Sequence, residues 1–155
     1  MSMFCFQCQE AAGNTGCSKI GMCGKLEETS NLQDLLVYAV KGLSIYAEDL
    51  AAKGEVDNAT GLFAMKALFA TITNANFDDD KIIAAISEAL AIRDALKAKS
   101  SLSGDLHDSA TWSPESEAEY YIKAATSGIL ATENEDVRSL RELLVYGVKG
   151  MAAYA

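Results

Sequence analysis

Apolar residues recur at helical spacing through most of the chain, from about residue 30 onwards. In the first such stretch they form a single stripe: Leu32, Leu35, Leu36, Ala39, Val40, Leu43, Tyr46 and Leu50. Ser30 followed by Gln33 fits a capping box, which predicts that this helix starts at Ser30. Residues 1–29 have neither a helical period nor the alternation of a strand, so they are predicted to be a loop region.

Two further helices follow at short distances. One is predicted over about 57–73, and the next lies in "FDDDKIIAAISEALAIRDALKAK", where Asp78 precedes an acidic first turn and lysines come at the end. Short connections between amphipathic helices favour antiparallel packing. Residues 30–99 are therefore predicted to form a three-helix bundle.

The second half of the chain repeats the helical pattern after a polar loop over 100–112. Ser113 and Pro114 predict the start of a connecting helix that stops at Gly128, and a last helix is predicted from about Asn134. No stretch alternates like a strand, so the fold class is all-α. The predicted division is a loop (1–29), a first bundle (30–99), a polar loop with its connecting helix (100–133), and the first helix of an incomplete second bundle (134–155).

An internal repeat supports that last assignment. "LQDLLVYAVKGLSIYA" (32–47) aligns with "LRELLVYGVKGMAAYA" (140–155), with ten of sixteen positions identical, including Tyr, Lys and Gly in the same order. We interpret this as a duplication. A single amphipathic helix cannot bury its own apolar face. The sequence thus predicts a piece of a longer protein, whose helix 134–155 self-associates with a second molecule, frays, or docks on the first bundle.

Composition and charge argue against several classes of binding partner. The net charge is −9 and no basic stripe occurs, which argues against nucleic acid as a partner. The start of the chain has no signal-peptide pattern, and no apolar run approaches the ~20 residues that cross a bilayer, so no membrane association is expected. We expect a cytoplasmic protein, in which thiols stay reduced.

All four cysteines lie in the predicted loop, at Cys5, Cys8, Cys17 and Cys23, in the spacing C-x2-C-x8-C-x5-C. Disulfides are disfavoured in a reducing compartment. A structural zinc site is possible by residue type, although zinc usually takes two close pairs of ligands and only Cys5 and Cys8 form one. A [4Fe–4S] cluster needs one thiolate for each of its four irons, which this set supplies. The spacing alone leaves zinc and iron–sulfur open.

The strings around these cysteines resemble a known family. "MFCFQCQEAAGNTGCSKIGMCGKLEETSNLQDLLVYAVKG", "ITNANFDDD" and "LATENEDVRSLRELLVYGVKG" are similar to the N-terminal part of the hybrid cluster proteins, also called prismane proteins, which are hydroxylamine reductases. The resemblance implies that Cys5, Cys8, Cys17 and Cys23 bind one [4Fe–4S] cluster, in the form typical of anaerobes. It also implies a helical domain of two three-helix bundles set across each other.

The chain departs from the family in its chemistry. Members reduce hydroxylamine at a second, hybrid iron–sulfur–oxygen cluster held by His, Glu and Cys residues of later domains. This sequence has no cysteine after Cys23 and a single histidine, His107. The resemblance therefore implies an electron-transfer domain without catalytic residues. Its partners would be an external electron donor and the remaining domains that carry the hybrid cluster, and no hydroxylamine turnover is expected from these 155 residues alone.

Several other residues carry weaker predictions. His107 and Lys25 are expected to be solvated. Met22, together with Phe4 and Phe6, either shields a metal centre or belongs to the local core. Tyr38 and Tyr146 are expected to be buried bundle tyrosines. Gly42 and Gly150 lie inside helices, where we expect close helix approach to offset the cost of glycine. The alternative function is a non-redox helical interaction domain folded by zinc.

Overall fold

A computed structural model describes residues 3–155, and five α-helices make up most of it. They are α1 (Glu27–Ala52), α2 (Asn58–Ile72), α3 (Asp79–Lys97), α4 (Glu117–Ser127) and α5 (Glu135–Tyr154). Short 3₁₀ helices occur at Ala12–Asn14, Asp108–Ala110 and Ile129–Ala131. The described residues contain no β-strand beyond one isolated bridge, so the all-α prediction is confirmed.

Local sequence signals explain where most helices begin. The carboxylates of Asp57 and Asp78 accept backbone N–H bonds from the first turns of α2 and α3, and the Asn134 side chain does the same for α5. Helix α4 begins at Glu117 after Ser116, later than the predicted start at Ser113 and Pro114. The later start leaves the Ser113 hydroxyl free to accept a bond from Arg93 of α3 at 2.9 Å.

The predicted capping box at Ser30 is wrong. Helix α1 begins at Glu27, and two acidic residues in its first turn suit the positive end of the helix dipole. Ser30 and Gln33 are buried inside the helix. Gln33 cannot fold back as a cap because its amide group donates to the Asn76 carbonyl at 3.1 Å and accepts from Lys25.

Helix α1 is the centre of the fold. It packs against α2, α3 and α4, whereas α2 and α3 touch each other at only a few positions. The predicted apolar stripe of α1 lies in the core. Close approach at Gly42 brings α1 against the 3₁₀ helix Asp108–Ala110, where an added Cβ would lie 2.0 Å from the Ser109 carbonyl oxygen. Gly42 thus has the packing role predicted for it.

Helix α5 packs against α2 and the cysteine-bearing loop, but not through its apolar stripe. That stripe is exposed, and its members are Leu140, Leu143, Leu144, Val148, Met151 and Tyr154. Nothing lies within 4 Å of a Cβ added at Gly150, so the close approach predicted there is not present. Helix α5 docks on the first helices through its opposite face, where Val145 and Ala152 are partly buried against the core and Lys149 is buried. Self-association through the apolar side stays a prediction, as does the division into four segments.

Among residues 3–155, no helix combines the length and apolar character needed to cross a membrane.

Candidate metal centre

Residues 3–26, called the cysteine loop here, are organised by a backbone pair between two of the four cysteines. The Cys5 N–H donates to the Cys17 carbonyl at 3.0 Å, and the Cys17 N–H donates to the Cys5 carbonyl at 2.8 Å. Opposed residues of an antiparallel pair project to the same face, about 5.5 Å apart at Cα. The bridge therefore places two predicted ligands side by side, although twelve positions separate them in sequence.

The other two cysteines lie in turns. The Cys8 carbonyl accepts from the Ala11 N–H at 3.2 Å, just before the first 3₁₀ helix. Cys23 lies in a turn closed by the Gly21 N–H, which donates to the Lys25 carbonyl at 2.8 Å. A Cβ at Gly21 would come within 3.0 Å of the Cys23 sulfur. A larger residue at Gly21 would therefore crowd the Cys23 sulfur and the Lys25 backbone.

The donor set fits a metal or an iron–sulfur centre by its chemistry. All four cysteines are free, with Cys17 buried, Cys23 exposed, and the other two in between. As the loop stands, no three His, Cys, Asp or Glu side chains within residues 3–155 are grouped closely enough to hold one metal ion. Cys23 lies in the exposed segment 22–24, outside the core. Ligation by the four cysteines stays a prediction.

Lys25 was expected to be solvated, and this expectation is wrong. Only 1% of the residue is exposed. Its ammonium donates to Gln33 Oε1 of α1 at 2.7 Å, lies 3.8 Å from the Cys5 sulfur, and is 5.8 Å from the centre of the Phe77 ring. The turn that carries Cys23 directs this side chain inward, beneath the loop. Sequence alone does not signal this burial, because lysine after a glycine turn is normally a surface residue.

A second buried lysine reaches the loop from α5. Lys149 is 4% exposed, and its ammonium donates to Gln7 Oε1 at 3.2 Å. Burial lowers the pKa of Lys149, while the nearby Asp34 carboxylate opposes the change. Tyr146, expected to be buried, is instead exposed, and its hydroxyl donates to the Gln7 carbonyl at 3.2 Å. Both contacts fix the segment between Cys5 and Cys8.

Asp34 is the acidic member of this group. It lies on α1, partly buried, and lines one small cavity together with Cys5, Lys25 and Lys149. Burial raises its pKa from 3.8 to about 7, and this rise is opposed by Lys149 and assisted by Glu142. No sequence signal marked Asp34, Gln7 or Lys149 as members of a site, and Gln33 was predicted to be part of a helix cap. The four side chains come together only because α5 and the loop pack on α1.

Aromatic rings cover one side of the loop. The Phe4 ring lies over Gly16, where a Cβ would be 2.7 Å from the ring carbon Cε2. Phe6 lies between Phe4 and Tyr146, with ring centroids 6.2 and 6.0 Å away. Both phenylalanines are therefore packed. Met22 is 68% exposed, so it neither shields the thiols nor joins the local core.

His107 takes no part in the site. It is exposed, as predicted, and its Nδ1 accepts from the Ser109 N–H at 3.2 Å. Its ring contacts Tyr38, whose hydroxyl donates to Asp108. Hydrogen bonds from Lys123 and Tyr38 hold the pKa of Asp108 below its ordinary value, and burial raises that of Tyr38. These contacts tie α1 to α4 and have a structural role.

Comparison with known proteins agrees with the resemblance in the sequence. The model of the Prismane/CO dehydrogenase family matches residues 3–155. Over the full 155 residues, the chain is 57% identical to a hydroxylamine reductase of Desulfitobacterium hafniense and 55% identical to one of Clostridium novyi. It is 56% identical, over 99% of its length, to a hydroxylamine reductase of Nitratidesulfovibrio vulgaris. It spans only 29% of the length of each of these relatives.

Proposed function

The chain belongs to the Prismane/CO dehydrogenase family, and from this premise we propose that it is the electron-transfer domain of a hydroxylamine-reductase-type hybrid cluster protein. Cys5, Cys8, Cys17 and Cys23 would hold one [4Fe–4S] cluster, which accepts and gives up single electrons. An external donor would supply the electron. Its destination would be the hybrid cluster in the remaining domains of a longer protein, at which hydroxylamine is reduced.

The observation that carries the proposal is the set of four free thiols on one loop, backed by buried ammonium groups. Thiolate ligands concentrate negative charge, and nearby donors and cations stabilise them. Lys25 lies beneath Cys5, and the Cys5–Cys17 bridge holds two of the sulfurs on one face. Phe4 and Phe6 pack against each other on one side of the loop and would limit the access of water to a cluster bound there. In this proposal the chain itself orients and shields the ligands of the cluster.

Metal analysis tests this function against the zinc alternative. Anaerobically purified protein is expected to contain four irons and four acid-labile sulfides per chain. Replacing Cys5, Cys8, Cys17 or Cys23 by serine should lower the iron content sharply, whereas Ser18→Ala, in the same loop, should leave it unchanged. One zinc and no sulfide per chain would instead support a non-redox, zinc-folded interaction domain.

Activity provides a separate test. The protein of 155 residues should show no hydroxylamine turnover with reduced dye, because it lacks the cysteine and histidine ligands of a second cluster. Turnover that rises in proportion to protein concentration would contradict this part of the proposal.

We further propose that the exposed apolar stripe of α5 is an association surface. In the longer proteins it would be covered by other domains, and in this chain alone by a second copy. Leu143→Lys together with Leu144→Lys should convert a dimer of the 155-residue chain to a monomer in light scattering. A wild-type chain that is monomeric at all concentrations would contradict self-association.

A further inference from the structure

Two buried ammonium groups converge on one side of the cysteine loop. Lys25 comes from the end of the loop itself, and Lys149 comes from the far end of the chain, in α5. They line the same cavity, together with Cys5, Gln7, Gln33 and Asp34. Tertiary packing thus brings two cations from distant segments into one cavity beside the Cys5 thiol. This arrangement needs an explanation.

Neither ammonium has an ion-pair partner among the residues that the structure describes. Lys25 and Lys149 donate to the neutral amide oxygens of Gln33 and Gln7, and Lys25 also donates to the Cys5 sulfur. No carboxylate lies within 4.0 Å of either nitrogen. Burying a charge without a counter-charge is costly. Another negative group close to the pair would lower this cost.

Asp34 does not neutralise the pair. Asp34 and Glu142 both act on Lys149, but only at longer range, since neither carboxylate lies within 4.0 Å of the ammonium nitrogen of Lys25 or Lys149. Lys41 adds a third positive charge near Asp34. The side of the loop behind Cys5 therefore carries a surplus of positive charge, directed at the thiol that lies 3.8 Å from Lys25.

We propose that Lys25 and Lys149 are a buried cationic pair that stabilises the electron-rich state of a cluster bound through Cys5, and so raises its reduction potential. This inference rests on the proposed function. The step it concerns is the uptake of one electron from an external reductant, with no bond made or broken and no proton taken up. Each ammonium attracts the added unit of negative charge across a poorly solvated interior, where such attraction is strong.

The chain contains a matched control. Lys41 occupies the same position of the first repeat copy as Lys149 does in the second, but its side chain is exposed on α1. An exposed charge is screened by water and salt. Removing the Lys41 charge should therefore have little effect on a buried centre, although the local sequence around it is nearly the same.

The test compares Lys25→Met, Lys149→Met and Lys41→Met in anaerobically purified protein that contains its cluster. The midpoint potential is measured by stepwise reduction with dithionite, followed by EPR, and iron and sulfide are determined for each sample. We expect a more negative potential for each buried-lysine variant, a larger shift for the double variant, and no shift for Lys41→Met. Lys149→Arg, which keeps the charge, should return the potential most of the way to that of the wild type.

The outcomes separate this inference from the proposed function. Unchanged or more positive potentials in Lys25→Met and Lys149→Met, with four irons retained, would overturn the role of the cationic pair and leave the cluster proposal intact. A wild-type protein without iron would overturn both. A purely structural role of the lysines predicts lower thermal stability with an unchanged potential. If Lys25→Met does not fold, Lys149→Met and Lys149→Arg on a separate helix still decide the question.

Discussion

The two copies of the repeat have nearly the same sequence and opposite environments. In α1 the stripe is the core of the protein: Leu35 is 0% exposed and Tyr46 is 1% exposed. In α5 the matching residues Leu143 and Tyr154 are 71% and 96% exposed. Burial is reversed at the lysine as well, since Lys41 is exposed and Lys149 is buried.

The difference shows that an amphipathic pattern specifies a helix but not the face on which it docks. Helix α1 has partners on several sides, so its apolar stripe is covered by α3 and α4. Helix α5 meets α2 and the cysteine loop, and the loop offers the polar groups of Gln7. Those groups pair with Lys149 and Tyr146, while Val145 and Ala152 pack against the core, so the helix docks through a mixed face and leaves its apolar stripe exposed.

The largest change in stability is expected at the most buried position of the first repeat copy. Leu35→Ala should lower the free energy of unfolding by about 3 to 5 kcal/mol, because it leaves a cavity in a close-packed core. Leu143→Ala, at the matching position of α5, should change the free energy of unfolding of the monomer by less than about 0.5 kcal/mol, as for an ordinary surface site, when it is measured at a protein concentration too low for self-association. Urea unfolding of both variants measures the difference. Equal losses would mean that the α5 stripe is also buried in solution.

Alanine substitutions at the two repeat glycines should change the stability of the protein in opposite directions. Gly42→Ala places a Cβ 2.0 Å from the Ser109 carbonyl oxygen. Backbone has to move to accommodate it, and a loss of about 2 to 3 kcal/mol is expected. Gly150→Ala meets no atom within 4 Å, so the higher helix propensity of alanine should stabilise the protein by up to about 1 kcal/mol. Thermal melting of the two variants tests this, and a stabilised Gly42→Ala would contradict the close contact.

The last comparison concerns the pH dependence of stability at the matching acidic positions, Asp34 and Glu142. Burial raises the pKa of Asp34 to about 7 from 3.8, so the folded protein binds a proton that the unfolded chain releases between these values. The contribution of Asp34 to stability is complete below about pH 3.8 and is lost as the pH rises through 7. The free energy of unfolding should therefore fall, relative to Asp34→Asn, by about 1 kcal/mol per pH unit in this window.

Glu142→Gln provides the control for that pH dependence. Glu142 helps to raise the pKa of Asp34, so its removal should move the transition to slightly lower pH without abolishing it. Urea unfolding between pH 4 and 8 distinguishes the two variants. A wild-type profile parallel to that of Asp34→Asn would show that the Asp34 carboxylate is solvated.

Much of the architecture was predictable because its signals are local. Aspartates before α2 and α3 cap those helices as their positions indicate, and the leucine stripe of α1 predicted the core. The start of α1 was missed because Ser30 and Gln33 form a capping pattern whose groups are used elsewhere, by tertiary contacts. The cysteine spacing also predicted a candidate site, but not the Cys5–Cys17 bridge, which depends on how the intervening loop folds back.

The sequence by itself determined the helices, the caps of α2, α3 and α5, the four thiols in one loop and the likeness to a family of hydroxylamine reductases. These properties depend on neighbouring residues or on the identity of side chains. Only the tertiary structure decided which copy of the repeat is buried, that Lys25 turns inward beneath Cys5, and that Lys149 joins it from α5. The physical reason is that burial of a charge depends on all the segments that surround it, and these segments are far apart along the chain.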